Sequence, residues 1–147
     1  MTSKSLQSQI AHGEDSKRQF KVDVRNAESL AAEMAAFANS EGGQLFVGVA
    51  DDGSTPRLAA ADVSRINQLI SNAASQLVRS PLTVQTENVA LGKGRVVIVL
   101  TAPKGIDKPY FDKNGVIWLK TGVENRGVRV TEFLERRMDH NALGQGP

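Results

Sequence analysis

Residues Asn39 to Gly53 read NSEGGQLFVGVADDG, and the reading of this stretch decides the fold. Two glycines, an apolar run and two adjacent carboxylates follow one another closely. Upstream, Asn26 is a good helix N-cap. After it Leu30, Met34 and Phe37 recur on one helical face, which Ala27, Ala31, Ala35 and Ala38 widen for close approach to a sheet. Gly42 or Gly43 supplies the left-handed residue that ends this helix. QLFVGVA then reads as a buried strand, and DDG as the turn that closes it. The glycines need no ligand to explain them.

The flanking segments extend this unit in both directions. Residues 1–13 form a short helical lead-in, with Leu6 and Ile10 four apart and Gly13 closing it. KRQFKVDV alternates Phe20, Val22 and Val24 with polar residues, the period of a half-buried strand. A second helix starts near Asp62 and carries Val63, Ile66, Ile70, Ala73 and Leu77 inward, stopping before Pro81. LTVQTENVAL, a GKG turn and RVVIVLTAP make a hairpin whose second strand is apolar enough to be central. KPYF, DKNG and VIWLKTG make another, with Asn114-Gly115 supplying positive φ. A last helix runs from Thr131 to about Met138, followed by a tail. The expected architecture is a single α/β domain with a mixed, largely antiparallel sheet flanked by helices. Its organisation is a lead-in helix over 1–13, the domain proper over 14–138 and a flexible tail over 139–147.

Composition narrows the class. The 147 residues include no cysteine, which excludes disulfides and thiolate zinc sites. The N-terminus lacks an apolar run able to act as a signal sequence, and no segment approaches membrane-spanning length. A cytoplasmic protein without membrane attachment is expected. The net charge is only +2, but its distribution is uneven. From Asn26 to Asp62 the acids Glu28, Glu33, Glu41, Asp51, Asp52 and Asp62 face Arg57 alone. From Lys93 to Arg137 ten bases outnumber five acids. A basic C-terminal half suits a polyanion partner, although solubility alone also places such charges on a surface.

Few motifs carry chemistry. Gly92-Lys93-Gly94 lies between two strand patterns and is a hairpin turn, too short for a phosphate loop. His12 and His140 stand near the termini without spaced partners, and no nucleophile has an activating setting. The carboxylates are more informative. Glu14 precedes the first strand and Asp51 follows the second, so strands with aligned ends would let both meet at one sheet edge and bind a hard cation; a turn-forming Asp and a solvated Glu are the more usual explanation of such residues.

GEDSKRQFK, then AAFANSEGGQLFVGVADDG, then PYFDKNGVIWLKTGVENR together resemble the Schlafen AlbA_2 domain, a bacterial family associated with DNA binding. The match runs from about Leu6 to about Arg129. The resemblance implies helices around a mixed sheet and frequent attachment to transcriptional regulators. It also implies kinship with animal proteins in which two such lobes form a basic clamp, some of them metal-dependent endoribonucleases with three carboxylates. Carried over by motif, the first carboxylate is Glu14 and the third Asp51, while the second falls on Gln19. This degenerate cluster retains two charges for Mg²⁺ or Mn²⁺, a weak metal site. An arginine common near the family's C-terminal glycine is Lys120 here, followed by Gly122, and Arg126 continues the basic stripe.

The expected function is nucleic-acid binding, to DNA or RNA, without strong catalysis. Lys17, Lys21, Lys120 and Arg126 are the expected phosphate contacts, and Tyr110 and Trp118 are candidates for stacking on bases. A metal-dependent endoribonuclease using Glu14 and Asp51 is the alternative, and a protein-interaction module a third reading. A homodimer is also expected, with VIWLKTG as the pairing edge.

Overall fold

A computed structural model describes residues 1–129. The chain folds as one α/β domain in which two four-stranded sheets enclose a central helix. The helices are α1 (Ser3–Ala11), α2 (Ala27–Asn39) and α3 (Ala60–Gln76). The first sheet takes β1 (Arg18–Lys21), β2 (Gly43–Val47), β4 (Gln85–Gly92) and β5 (Arg95–Ala102) in the order β1-β2-β5-β4. The second takes β3 (Val78–Arg79), β6 (Phe111–Asp112), β7 (Val116–Thr121) and β8 (Glu124–Arg129) in the order β3-β6-β7-β8. β1 and β2 run parallel, and every other pairing is antiparallel.

Local chemistry fixes the ends of α2. The Asn26 side chain accepts from the N–H groups of Glu28 and Ser29, at 2.8 and 3.1 Å, which satisfies donors that the first helical turn leaves open. At the other end Gly42 takes φ +79° and donates its N–H to the Phe37 carbonyl at 2.8 Å. Gly43 is required for a different reason. A Cβ there would lie 2.4 Å from the Phe37 ring, so its absence lets β2 start directly against the helix.

The burial of α2 exceeds what one apolar face predicts. Every residue from Leu30 to Ala38 is buried, Glu33 included. The reason is tertiary: α2 packs on β2 and β5 of the first sheet, on α3, and on β6 and β7 of the second. A helix covered on all sides must be apolar all round, and the alanines meet that demand in a small diameter. Across the first sheet, Leu45, Val47, Ile98 and Leu100 face α2 and α3, while Phe20, Phe46, Val97 and Val99 pack with Leu6 of α1.

Three expectations need correction. β8 carries only Val128 as a buried apolar residue, too faint a pattern to read as a strand, yet it pairs along the full length of β7. β7 is therefore interior, flanked by β6 and β8, and the edge strands of this sheet are β3 and β8, not VIWLKTG. In the DKNG turn Gly115 alone takes positive φ, and Asn114 does not. The helix expected at 131–138 and the tail expected at 139–147 lie outside the described residues. Among the described residues no helix is long and apolar enough to cross a membrane.

Candidate nucleic-acid interface

β1 is an edge strand, and the residues before it fold back to protect it. Asp15 and Arg18 exchange backbone hydrogen bonds at 3.0 and 3.3 Å, a tight turn that returns Glu14 alongside β1. Glu14 Oε1 then accepts from the Phe20 N–H at 2.8 Å, satisfying a donor on the side of β1 away from β2. Lys17 and Lys21 stand exposed at the two ends of this strand. Neither forms an ion pair among the described residues.

Gln19 is buried between the two lysines, 6% exposed. Its Nε2 donates to the carbonyls of Asp15, at 3.3 Å, and Val123, at 2.6 Å. The second bond ties the tip of the β7–β8 hairpin to β1 and so joins the two sheets. Arg126, on β8, is exposed. It follows Asn125, whose side chain turns inward to Glu33, so strand alternation sends Arg126 to the opposite face.

Lys120 is not a surface cation. Its side chain is 2% exposed; Nζ lies 2.8 Å from Glu33 Oε1 and 4.3 Å from the centre of the Phe37 ring. Asn125 Nδ2 donates to the other Glu33 oxygen. Burial holds the Lys120 ammonium below the ordinary lysine value; the hydrogen bond and charge of Glu33 oppose this, Lys21 adds to it, and Glu14 opposes it weakly. Lys120 thus neutralises a carboxylate inside the domain and has no face to offer a phosphate. Tyr110 is also withdrawn: it is 4% exposed, and Asn39 binds both its N–H and its carbonyl. Trp118 is half-buried and remains accessible from a cavity.

The second position of the expected carboxylate cluster is the neutral Gln19, which leaves Glu14 and Asp51 as its two charged members. Asp51 and Asp52 are exposed in the turn after β2, beside a cavity of about 500 Å³ that Gln7, Ile10, Phe20 and Arg95 help to line; Glu14 does not line it. Asp52 builds the turn by accepting from the Ser54 N–H at 2.9 Å. Its hydrogen bonds with Ser54 hold its pKa below the ordinary value. Among the described residues no group of three or more His, Cys, Asp or Glu side chains could hold a metal ion. The remaining members fit a divalent cation poorly. One Glu14 oxygen is taken by a backbone N–H, Gln19 brings no charge and spends its amide donors on the Asp15 and Val123 carbonyls, and the Lys120 ammonium lies within electrostatic reach of Glu14. Mg²⁺ or Mn²⁺ prefers anionic oxygens left free of donors.

Glu33 and Asn125 complete the buried network around Lys120, and the sequence pattern did not single them out. Glu33 carried a signal: it is a lone carboxylate within LAAEMAAFA, where burial demands a partner. Asn125 carried none.

The family profile for Schlafen, AlbA_2 matches residues 14–129. The chain belongs to the Schlafen AlbA_2 family. Solved structures share the fold of this AlbA_2 domain. The N-terminal domain of a RecG-related protein from Nitrosomonas europaea, determined by NMR in solution, superposes with a TM-score of 0.57 at 19% identity, over 77% of this chain and 81% of that one. The DIP2311 protein from Corynebacterium diphtheriae superposes with a TM-score of 0.56 at 21% identity, over 95% of this chain and 32% of that one. No curated protein matches the AlbA_2 chain.

Proposed function

We propose that this AlbA_2 domain binds nucleic acid through its phosphate backbone, without strong catalysis, along the β1 edge and the adjoining β7–β8 hairpin. The observation that carries this reading is the Gln19–Val123 hydrogen bond. It holds the strand bearing Lys17 and Lys21 against the hairpin bearing Arg126, giving exposed bases on a rigid junction. Backbone contacts of this kind position a protein without reading sequence. The absence of a fitting carboxylate set among the described residues weighs against the nuclease alternative.

Titration against single-stranded DNA, duplex DNA and structured RNA at two salt concentrations tests the reading. Affinity should fall steeply with salt, with a log–log slope of roughly −0.9 for each phosphate neutralised on duplex DNA. Failure to bind any of the three at low salt would move the function to protein interaction. Cleavage that requires Mn²⁺ and is lost in Asp51→Asn would restore the nuclease.

A further inference from the structure

A second cavity, of about 470 Å³, opens between the first turn of α2 and the inner face of β7–β8. Its lining combines apolar surface from Leu30, Val116 and Trp118 with Lys21, Glu33 and Asn125. The volume falls in the range of sites that hold small organic groups, and a few placed polar atoms within apolar walls are what such sites use for orientation.

Each polar group narrows the ligand. Trp118 is pinned: its Nε1 donates to Asp112 Oδ2 at 3.0 Å. Across the ladder Gly127 leaves room for the ring, since a Cβ there would lie 3.1 Å from it. A fixed, half-buried indole is a preformed stacking surface. Asn125 has its amide orientation set by Glu33, because only Nδ2 can donate to that carboxylate. Its Oδ1 is consequently a buried acceptor without a partner among the described residues. Glu33 is already met by Lys120 and Asn125, so the unmet demand is for one donor. Lys21, exposed and free of ion pairs among the described residues, adds a cation. An aromatic ring with an N–H donor and a nearby anion meets all three requirements.

We propose that this cavity receives one unstacked nucleobase of a single-stranded nucleic acid, its ring against Trp118, an N–H of the base donating to Asn125 Oδ1, and a neighbouring phosphate at Lys21. The inference rests on the nucleic-acid reading above and adds a base-binding step to it. A paired base inside a duplex cannot enter without leaving its stack, so single strands are favoured.

The test uses the full chain, an oligoadenylate of about ten nucleotides and an abasic strand of equal length, with adenosine monophosphate as a third arm. Trp118 is the only tryptophan in the chain, so its fluorescence reports the cavity while labelled-strand anisotropy reports binding. The oligoadenylate should bind about fivefold to a hundredfold tighter than the abasic strand and quench Trp118. The abasic strand should bind without quenching, and the mononucleotide only weakly. Ser29→Phe, which fills the cavity from an exposed position on α2, should reduce oligoadenylate binding to the abasic level with unchanged circular dichroism. Equal binding of both strands without quenching would overturn the base site and leave backbone binding standing; no binding of either would overturn both. A mononucleotide as tight as the oligomer would assign the cavity to free nucleotides and overturn the single-strand proposal.

Discussion

Replacing Lys120 with methionine separates an interior ion pair from a surface phosphate contact. Methionine keeps much of the side-chain volume near Phe37 but removes the charge 2.8 Å from Glu33 Oε1. Glu33, 6% exposed, then keeps its bond from Asn125 but loses its counterion. Breaking one side of a buried pair costs about 3–5 kcal/mol, and losing the cation over the Phe37 ring adds about 0.5–2 kcal/mol. For a chain of this size the first term alone lowers the melting temperature by roughly 6–20 °C. Urea unfolding followed by circular dichroism measures the loss. The double variant Glu33→Gln with Lys120→Met leaves no buried charge, and the introduced amide oxygen can still accept from Asn125. It should recover most of the stability, to within about 1 kcal/mol of the wild type. A loss below about 1 kcal/mol in the single variant, the range of exposed pairs, would refute the buried arrangement, most clearly if the salt dependence of binding also weakened.

Other perturbations follow from particular contacts. Asn39→Ala removes bonds to the Tyr110 N–H and to the carbonyls of Tyr110 and Trp118; a loss of about 2–4 kcal/mol is expected in urea unfolding. Gln19→Glu replaces an amide donor with carboxylate oxygens facing the Asp15 and Val123 carbonyls; it should destabilise by about 1–3 kcal/mol and confer no Mn²⁺-dependent cleavage of structured RNA. Asp23 sets an acid limit. Burial disfavours its charge, but the hydrogen bond from Arg65, the Val24 N–H and the charges of Arg65 and Arg25 outweigh this, so its pKa lies below the ordinary value. Its contribution is therefore fully present above the ordinary aspartate value of about 3.9 and lost as pH falls through the lower folded value. Asp23→Asn should be less stable than wild type at neutral pH, with the gap closing in acid unfolding curves below about pH 4.

Local signals carried the α2–β2 unit. Asn26, Gly42 and the apolar run after Gly43 each act on neighbours a few residues away, and the structure places each as its chemistry requires. Non-local pairings were harder to read. Lys120 shares its strand phase with Val116 and Trp118, so its inward direction was present in the alternation. What makes that direction tolerable is Glu33, distant in sequence and brought close only when the second sheet packs on α2. β8 is defined by its partner and not by its own residues. Glu14 and Asp51 were expected to meet from strand ends; that alignment says nothing of the Asp15–Arg18 turn, which returns Glu14 to the β1 edge and gives one of its oxygens to the Phe20 N–H.

The most direct test of the basic β1 edge is the salt dependence of duplex DNA binding by the wild type and by Lys17→Gln/Lys21→Gln. Both lysines are exposed and outside the buried network, so stability should hold within about 0.5 kcal/mol. The predicted result is a slope shallower by roughly two, because the double variant neutralises two fewer phosphates. An unchanged slope, with the double variant folded and binding as tightly as the wild type, would contradict the assignment and place the interface elsewhere.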